Sequence, residues 1–385
     1  MADRFTLREK SRVRYYDTTL LLIILLLMVF GLVMLYSVSA YDGNVNYGDS
    51  AYYFKSQLRN SIFGVVLMIL VSVVPYHFWE KTSALVYSFA TVMLLLIIPY
   101  GKEVNGAKRW LIVPTVNISV QPAEIAKVAA IIIGANIIVR LGKRIETVRG
   151  FFYTMVPAGI HFLLIYLVTR NLSSAIIVGG IAFIMSFVSA EGYKKYVYSF
   201  AALLIGAAGY VLLVVKTGGI GGFRGERVLA WLDPNAYAAG KGYQTLQALY
   251  AIGSGGMMGK GIGESMQKLG YLPEAQNDMI FSIICEELGF VGALCVIAMF
   301  LLLLWRCLLI ANNAPDLYGA LLVIGFMAHI AIQVILNIAV VTNTIPNTGI
   351  SLPFISYGGS SVVMLLFEVG LVMSVQRSIR VKDVE

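Results

Sequence analysis

Long apolar stretches separated by short polar segments run along most of the chain. These stretches are apolar on every side rather than along one stripe, which is typical of helices that face lipid. A helix needs about 20 residues to cross the hydrocarbon layer of a membrane. Ten stretches are predicted to be such helices, over residues 18–39, 56–74, 82–99, 122–140, 151–168, 171–189, 196–216, 280–304, 318–341 and 360–375. The pattern therefore predicts an all-α polytopic membrane protein with ten transmembrane helices.

Two of the predicted connections, residues 100–121 and 217–279, are too long to be simple turns. Loops of this length in a compact protein are usually functional or disordered. The second connection combines aromatic residues such as Trp231, Tyr243 and Tyr271 with many glycines. This mixture predicts an ordered, partly re-entrant extracellular loop between the seventh and eighth spans.

Lysine and arginine residues indicate how the ten spans are oriented. Short loops on the cytoplasmic side of a membrane carry an excess of these residues. The ten-span arrangement places one set of basic residues on a single side: Arg4, Arg8, Lys10, Arg12, Arg14, Arg140, Lys143, Arg144, Arg149, Lys194, Lys195, Arg377, Arg380 and Lys382. We therefore expect both termini to be cytoplasmic, with residues 1–17 and 376–385 as tails of one membrane domain over residues 18–375.

Composition supports this interpretation and excludes a soluble protein. Of the 385 residues, 58% are hydrophobic and 13% are charged, whereas soluble domains have about 25% charged residues. The mean hydropathy is +0.80. The net charge of +8 is compatible with an anionic lipid substrate, although the membrane orientation alone requires cytoplasmic lysine and arginine. Cys285, Cys295 and Cys307 lie on one predicted helix and are expected to be packing residues rather than partners in a disulfide.

The glycine-rich run from Gly255 to Gly261 resembles a phosphate-binding loop only superficially. Position 254 is serine and the lysine at position 260 is followed by glycine, so the run lacks residues that the P-loop pattern requires. His77, His161 and His329 are scattered along the chain, and none has a second histidine four residues away. The sequence therefore indicates no metal site, and each histidine is expected to find one polar partner within the helix packing.

Glu124 and Lys127 lie three residues apart at the start of the fourth predicted span, and hence on one face of that helix. A charge at membrane depth costs about 2.5–3.5 kcal/mol on insertion scales, and such residues usually pair and line functional cavities. The pair is therefore predicted to have a functional role. The alternative is a neutralised pair that only holds helices together.

Basic residues also lie in the two long connections, on the side opposite to the cytoplasmic set. Lys108 and Arg109 lie beside Trp110 at the predicted membrane boundary, and Arg224 and Arg227 lie near the start of the large loop. Arginine can form paired hydrogen bonds with phosphate oxygens, so these residues are candidates for binding an anionic lipid head group. The alternative is an interfacial aromatic residue with basic side chains that extend to the membrane surface.

Asp278 immediately precedes the eighth predicted span and so lies near the boundary between membrane and water. Burial there would raise the pKa of its carboxyl group, and nearby cations would lower it. A carboxylate in such an environment can act as a general base. Aspartate is also a common residue at the N-terminus of a helix, where it caps backbone N–H groups. The residue spacing leaves both interpretations open.

Several motifs together resemble the SEDS family, named for shape, elongation, division and sporulation. They follow one another along almost the whole chain: Gly106-Ala107-Lys108-Arg109-Trp110, Val120-Gln121-Pro122-Ala123-Glu124-Ile125-Ala126-Lys127, Trp231-Leu232-Asp233-Pro234, Gly242-Tyr243-Gln244, Ala251-Ile252-Gly253-Ser254-Gly255-Gly256, Tyr271-Leu272-Pro273-Glu274-Ala275, Asp278-Met279-Ile280-Phe281, Glu286-Glu287-Leu288-Gly289, Pro346-Asn347-Thr348-Gly349-Ile350, Leu352-Pro353-Phe354 and Ser356-Tyr357-Gly358-Gly359-Ser360-Ser361. Such a series is highly specific. Other segments, among them Tyr36-Ser37-Val38-Ser39-Ala40, are closer to the FtsW division and sporulation branch than to the RodA elongation branch.

The resemblance implies a bacterial peptidoglycan glycosyltransferase that joins lipid II disaccharides into glycan strands at the outer face of the cytoplasmic membrane, in cell division. Asp278 matches the family's catalytic aspartate, which would take the proton from the acceptor GlcNAc 4-hydroxyl during its attack on MurNAc C1. The arginines and Lys127 would stabilise the undecaprenyl pyrophosphate that leaves. The matching motifs also contain residues that are expected to bind substrate: Lys108, Arg109, Trp110, Gln121, Glu124, Gln244, Ser356 and Ser360.

The resemblance also implies partners. A class B penicillin-binding protein, the transpeptidase that crosslinks the new strand, and other divisome membrane proteins are expected to bind this protein, whereas nucleic acid is not an expected partner. A divalent cation, magnesium or manganese, could assist departure of the leaving group. No ligand set in the sequence identifies that cation.

The chain departs from the family pattern in two spans. Arg170-Asn171-Leu172-Ser173 replaces the usual Pro-Asp-Leu-Gly, so the candidate base is Asp278 rather than Asn171. Glu368 lies in the middle of the tenth span, where the family more often has a small or apolar residue, and no motif accounts for it. Glu368 is expected to lie inside the helix bundle, either protonated or paired with a cation.

Two other functions remain open. The protein could be a lipid II flippase with no bond-making chemistry, or a non-catalytic divisome scaffold whose enzyme activity resides in a partner. A transporter needs polar residues through the whole depth of the bilayer, whereas a transferase needs them at the external mouth. The external clustering of Lys108, Arg109, Arg224, Arg227 and Asp278 favours the transferase.

Overall fold

The computed structural model describes residues 18–104, 107–113, 118–218 and 222–379, without the side chains of residues 104, 107, 113, 118, 223 and 224. The predicted tail over residues 1–17 and the basic residues Arg380 and Lys382 lie outside the described residues. The helices are α1 (Thr18–Tyr47), α2 (Tyr52–Val73), α3 (His77–Tyr100), α4 (Pro122–Leu141), α5 (Val148–Val168), α6 (Leu172–Val188), α7 (Lys194–Lys216), α8 (Phe223–Leu232), α9 (Tyr243–Gly255), α10 (Ile280–Asn312), α11 (Leu317–Val341) and α12 (Gly359–Gln376). The strands are β1 (Lys102–Val104), β2 (Ala107–Val113) and β3 (Ile118–Val120).

Each of the ten predicted spans corresponds to a helix, so the prediction of a polytopic helical membrane protein is confirmed. In the described part of the chain, nine helices are long and apolar enough to cross a membrane, and α6 is a shorter apolar helix of 17 residues. Helices α1 and α10 both continue beyond their predicted ends, to Tyr47 and Asn312. The extension of α1 is polar, and it is held by tertiary contacts such as the hydrogen bond from the Tyr53 hydroxyl to Asp42 at 2.6 Å.

The connections that carry the predicted cytoplasmic residues lie on one face of the bundle. Glu146, between α4 and α5, accepts hydrogen bonds at 2.6 and 3.0 Å from the backbone N–H groups of Glu191 and Gly192, between α6 and α7. Tyr76, between α2 and α3, donates to the Asp316 carboxylate, between α10 and α11, at 2.5 Å. The connections therefore group as the ten-span arrangement requires.

The opposite face carries the two long connections. The first forms a three-stranded antiparallel sheet in the order β1-β2-β3, with Leu111 of β2 opposite Val120 of β3. The second folds into α8, α9 and a series of turns, and α9 packs against α10. This loop is therefore ordered over residues 222–279, as predicted.

The interior of the bundle is built mainly from α4, α6, α11 and α12. Small residues allow the helices to approach closely, which is the usual packing device in membranes. A Cβ atom added at Gly370 of α12 would lie 2.7 Å from the backbone oxygen of Met68 in α2. By contrast, α7 buries only Tyr196 and Val214 and lies at the edge of the bundle.

Candidate active site

Asp278 lies two residues before α10, on the face of the bundle that carries the two long connections, which we call the outer face, and it does not cap that helix. The residue in the capping position is Met279, and no side chain donates or accepts a cap hydrogen bond there. The Oδ1 atom of Asp278 is buried and has no hydrogen-bond partner among the described residues. The helix-cap interpretation therefore loses its geometric basis, and a carboxylate oxygen remains available to accept a proton.

The surroundings of Asp278 fix its position and alter its acidity. Asn337 of α11 donates to the backbone oxygens of Asp278 and Ile350, at 2.8 and 2.6 Å. Burial raises the pKa of the Asp278 carboxyl group to about 7, the negative charge of Glu274 acts in the same direction, and Arg227 opposes both. Near neutral pH the carboxyl group is therefore partly ionised. This suits a general base, because enough of it is ionised to accept a proton and its pKa is high enough to bind that proton well.

The connection between α11 and α12 lies directly against Asp278. Gly349 has a φ of +66°, and a Cβ atom added there would lie 3.5 Å from Oδ2 of Asp278. A positive φ is strained for any other residue, so glycine at this position allows the turn to approach the carboxylate. The Asn347 side chain accepts a hydrogen bond from the Gly349 N–H at 3.1 Å, which closes the same turn.

Asn347 of this turn also lines a cavity of about 210 Å³. Its lining comes from α8, α9, the α11–α12 connection and the segment before Asp278: Arg227, Ala230, Trp231, Gly240, Lys241, Tyr243, Gln244, Thr245, Pro273 and Asn347. Arg227 donates to the Asn347 carbonyl at 3.2 Å. The Asn347 amide donates to Gln244 at 2.8 Å, and Gln244 donates to the Pro273 carbonyl at 3.1 Å. These bonds hold Arg227, Asn347 and Gln244 in place, and the lining as a whole brings two cations, two amides and two aromatic rings around one space.

The predicted ion pair in α4 is confirmed. Lys127 Nζ lies 2.7 Å from Glu124 Oε1, and both side chains are buried. Lys127 also donates to Gln333 of α11 at 3.4 Å, and Gln333 donates to the Ser351 carbonyl at 2.9 Å. The pair is thus connected to the segment that approaches Asp278, while Oε2 of Glu124 has no hydrogen-bond partner among the described residues.

Glu368 lies in the interior of the bundle, as predicted, and its side chain is within hydrogen-bonding distance of His329. The His329 Nδ1 atom lies 2.9 Å from Glu368 Oε2, and both side chains are 1% exposed. His329 is one helical turn from Gln333 on α11 and is close enough to Glu124 to interact electrostatically. The two buried pairs therefore form one polar group inside the bundle.

The other two histidines each have one partner, as expected. His161 lies 3.0 Å from the Thr91 hydroxyl, and His77 lies 3.0 Å from the Asp316 carboxylate. In the part of the chain that the structure describes, no three His, Cys, Asp or Glu side chains are close enough together to hold a metal ion. The divalent cation that the family resemblance allows therefore stays a prediction, and no step below is routed through a metal.

The remaining predicted site residues are distributed around the outer face. Lys108 is exposed and donates to the Ile98 carbonyl at 3.2 Å, and Arg109 donates to the Thr169 carbonyl at 3.4 Å. Burial lowers the pKa of Arg109. Trp110 is half-buried on β2 opposite Lys102, and the Arg224 side chain lies outside the described residues.

Gln121, Ser356 and Ser360 have structural partners. The backbone N–H of Gln121 donates to the Ser360 hydroxyl at 3.2 Å, which joins α4 to α12. The Ser356 hydroxyl accepts from the Leu352 N–H at 2.7 Å, within its own turn. These contacts show that the three residues shape the outer face, and they place none of them beside Asp278.

Asn171, at the departure from the family pattern, caps α6. Its side-chain oxygen accepts from the Ser174 N–H at 3.1 Å. The neighbouring Ser173 hydroxyl donates to the Thr348 carbonyl, next to Gly349. The segment thus supports the turn beside Asp278 without contributing an acid.

The sequence reasoning missed the partners of Glu286 and Glu287. Both acids are buried in α10 and form ion pairs with Lys260 and Lys268 of the large loop. Two adjacent acids within an apolar helix were a visible signal, because buried carboxylates require partners. Nothing in the local spacing identified those partners.

Comparison with known proteins finds similarity to one family over nearly the whole chain. Residues 17–381 match the FtsW/RodA/SpoVE family, described as cell cycle proteins. Stage V sporulation protein E of Bacillus subtilis (strain 168) is 40% identical over 366 residues, covering 94% of this chain and 97% of the relative. A protein of Trichlorobacter lovleyi named "Probable peptidoglycan glycosyltransferase FtsW" is 35% identical over 376 residues, covering 97% of this chain and 96% of its own.

Solved structures show a similar fold. A chain solved in work on the structural coordination of polymerization and crosslinking by a peptidoglycan synthase complex superposes with a TM-score of 0.75 at 26% identity, covering 94% of this chain and 98% of its own. The rod shape determining protein RodA of Thermus thermophilus superposes with a TM-score of 0.66 at 23% identity, covering 94% and 97% of the two chains. The second similarity concerns the fold alone.

Proposed function

The chain belongs to the FtsW/RodA/SpoVE family, and from that premise we propose that it is a peptidoglycan glycosyltransferase. It joins lipid II disaccharides into glycan strands at the outer face of the cytoplasmic membrane, with a role in cell division or sporulation. Relatives that cover nearly the same length carry the name peptidoglycan glycosyltransferase, and another is a sporulation protein. Both kinds of name agree with the division and sporulation branch.

The observation that carries this proposal is the uncapped carboxylate of Asp278, whose buried Oδ1 atom has no hydrogen-bond partner among the described residues, next to a turn whose Asn347 lines a polar cavity. In the proposed reaction, an oxygen of Asp278 accepts the proton of the acceptor GlcNAc 4-hydroxyl. The freed oxygen forms a bond to C1 of the donor MurNAc, and the bond from C1 to the pyrophosphate oxygen breaks. Undecaprenyl pyrophosphate leaves with the bonding electron pair, and Asp278 later returns its proton to water.

The cavity beside Asp278 suits the sugar that carries the attacking hydroxyl. Trp231 and Tyr243 offer ring faces for a pyranose, and Gln244 and Asn347 offer amide groups for its polar substituents. The volume of about 210 Å³ is that of a small group rather than of a whole disaccharide. We assign the cavity to the acceptor unit, on the side of the bound sugar away from its 4-hydroxyl, because Asp278 is not among the residues that line it.

Of the residues that the sequence suggested for charge stabilisation at the leaving group, Arg227 suits the role better than Lys127. Lys127 is 2% exposed and already paired with Glu124, which leaves it a supporting role inside the bundle. Arg227 lines the cavity and interacts electrostatically with Asp278. We assign Arg227 to the phosphate groups, because a guanidinium at this position lies where negative charge develops.

A lipid II flippase remains the second candidate, and the polar group that includes His329 and Glu368 is what favours it, since it lies well inside the bundle. A flippase would move lipid II without forming polymer, so the product of the reaction distinguishes the flippase from the transferase.

A crosslinking penicillin-binding protein is the proposed partner, because the similar solved chain comes from work on the coordination of polymerization and crosslinking by a peptidoglycan synthase complex.

The orientation follows from the same proposal. Residues 222–279 face the outside, and the connection with Arg144 faces the cytoplasm together with both termini. Single cysteines at positions 144 and 241, in a background without the native cysteines, would be labelled with a membrane-impermeant maleimide in intact spheroplasts. Labelling is expected at 241 and not at 144, and the reverse pattern would contradict the orientation.

The direct test is polymerisation by purified protein. Lipid II is supplied to the protein alone and with a penicillin-binding partner, and the products are separated by length. Asp278→Asn is expected to lower the rate about 10²–10⁴-fold, the usual worth of a general base, while lipid II binding and partner binding persist. Near-normal glycan synthesis by folded Asp278→Asn protein would contradict the proposal, and so would loss of folding in step with activity.

A further inference from the structure

Two adjacent acidic residues of α10, Glu286 and Glu287, each form an ion pair with a lysine of the external loop. Lys260 Nζ lies 2.7 Å from Glu286 Oε1, and Lys268 Nζ lies 2.7 Å from Glu287 Oε1. The two glutamate side chains are 1% and 0% exposed, and that of Lys268 is 8% exposed. We refer to these four residues as the α10 cluster. None of them takes part in the proposed reaction.

Hydrogen bonds from two other elements fix the direction of each carboxylate. The Ser265 hydroxyl, in the external loop, donates to Oε2 of Glu286. The Ser37 hydroxyl, in α1, donates to Glu287 at 2.9 Å and accepts from Lys268 Nζ at 3.0 Å. The α10 cluster therefore joins α1, the external loop and α10 at one point.

Helix α10 is interrupted immediately after the α10 cluster. Gly289 has φ +68° and ψ −168°, which separates a first part, Ile280–Leu288, from the rest of the helix. Backbone groups of the external loop pair with the interrupted helix: Lys260 and Gly261 donate to the carbonyls of Glu286 and Glu287 at 3.0 and 2.9 Å, and Phe290 and Val291 donate to those of Gly256 and Met257 at 2.9 and 3.2 Å. The orientation of the first part thus depends on the loop.

This contact explains the glycine-rich run that failed the phosphate-loop pattern. A Cβ atom at Gly255 would lie 1.9 Å from the Cys285 carbonyl oxygen, and one at Gly259 would lie 2.2 Å from that of Glu287. Gly259 also has a φ of +78°. Only glycine allows the loop backbone to approach the helix this closely.

The first part of α10 carries Asp278 at its outer end and the α10 cluster at its inner end. Seven residues separate Ile280 from Glu287, a rise of about 10 Å in a helix. We propose that the α10 cluster consists of positioning residues for the glycosyltransferase reaction, holding the first part of α10 at the angle that presents the Asp278 carboxylate to the acceptor hydroxyl. This inference rests on the proposed function of Asp278.

Ion pairs suit such a role better than apolar contacts. A buried ion pair adds little net stability compared with apolar residues of similar volume, but removing one partner is costly. Apolar contacts tolerate small rotations, whereas the carboxylates of Glu286 and Glu287 are held by directional bonds from the loop and from α1. Since Gly289 breaks the helix, the second part of α10 does not by itself fix the direction of the first part.

The test uses a double variant, because a single substitution leaves a buried unpaired charge and can prevent folding. Lys268→Met with Glu287→Gln removes both charges, and glutamine can still accept the hydrogen bond from Ser37. The matched control is Lys55→Met with Asp49→Asn, which removes an ion pair at the outer face with an Nζ–oxygen distance of 2.8 Å, close to the 2.7 Å of Lys268 and Glu287, but with exposed side chains. Polymerisation of lipid II by the full-length protein is measured with its partner from pH 5.5 to 9.

The double variant is expected to fold and to bind lipid II with unchanged KM, while kcat falls roughly 10²-fold, as for a misplacement of about 1 Å. The acid limb of its pH–rate profile should shift to lower pH than in the wild type. Burial is the main cause that raises the pKa of Asp278, and water would reach that carboxyl group in the variant. Glu274 and Arg227, the charged groups that face Asp278 among the described residues, remain in place. The control should keep the wild-type kcat and acid limb.

Wild-type kcat and acid limb in the folded double variant would overturn the positioning role. Loss of activity only in proportion to loss of folded protein, with an unchanged acid limb, would also overturn it and leave the α10 cluster a purely structural feature. The failure of the proposed function gives a different result: Asp278→Asn would then polymerise normally. A normal double variant beside an inactive Asp278→Asn protein defeats the positioning role alone.

Discussion

The protein buries lysine–glutamate pairs in two regions, and the two are built differently. The pair of Glu124 and Lys127, which we call the α4 pair, lies within one turn of one helix, with 2.7 Å between Nζ and Oε1. The partners in the α10 cluster are 26 and 19 residues apart and come from a loop and a helix. The distances are the same, but the first pair belongs to one element and the second set joins three.

This difference separates two tasks that buried charges can perform. A salt bridge within one helix moves with that helix, so by itself it cannot set the angle between elements. Only the longer hydrogen bond of 3.4 Å from Lys127 to Gln333 reaches another helix, and the α4 pair mainly keeps the bundle interior neutral. A set that joins α1, the external loop and α10 fixes those elements relative to one another. We therefore expect the α4 pair to affect the stability of the bundle and the α10 cluster to affect the geometry at Asp278.

The largest stability effect is expected from breaking the α4 pair. Glu124→Ala or Lys127→Ala leaves one uncompensated charge among buried residues, which costs about 3–5 kcal/mol. The double variant should be less destabilised than the sum of the singles. Chemical denaturation of the detergent-solubilised variants measures this coupling, which should exceed the roughly 0.2–1 kcal/mol of an exposed pair. Strictly additive effects would show that the two residues do not act as a pair.

A smaller effect is expected at the pair of His329 and Glu368. Glu368→Gln keeps a hydrogen-bonding oxygen within reach of His329 but removes the carboxyl group, so the loss is about 1.5–3 kcal/mol, the range for a hydrogen bond to a charged group. The free energy of unfolding is compared with that of His329→Gln, which removes the other half of the pair. If Glu368→Gln leaves stability and polymerisation unchanged, the charge on Glu368 has no role.

The smallest effect is expected at the outer end of α1. Asp49 and Lys55 form a pair of 2.8 Å that is exposed to solvent, and the adjacent lysine lowers the pKa of Asp49. Water already solvates both charges, so Asp49→Asn should change neither the melting temperature nor the polymerisation rate measurably. A clear loss of activity would mean that the α1–α2 connection takes part in the reaction.

The contrast between the two regions also marks what the sequence could reveal. The α4 pair was predicted because a spacing of three residues places side chains on one helical face. The ten spans were predicted because lipid requires helices that are apolar on every side. Both inferences use only neighbouring residues. The pair is confirmed, and in the described residues nine of the ten predicted spans are helices long and apolar enough to cross a membrane, while the sixth is the shorter helix α6.

The parts that were not predicted depend on contacts between distant segments. The lysines that neutralise Glu286 and Glu287 come from a loop whose fold no periodicity describes. The pairing of His329 with Glu368 joins residues 39 positions apart, so the acid was expected to find a cation but the partner was not identified. The state of Asp278 was left open for the same reason, since only the folded chain shows that the helix cap is absent.

The central claim is that Asp278 is the general base, and its pH dependence tests this most directly. The polymerisation rate of the wild-type protein with its partner is measured from pH 5.5 to 9 under saturating lipid II. Because the pKa of Asp278 is raised to about 7 and only the ionised form accepts a proton, the rate should rise through pH 7 and then level off. Asp278→Asn should give a flat profile about 10²–10⁴-fold lower. An acid limb near pH 7 that persists in Asp278→Asn, or none in the wild type, would contradict the claim.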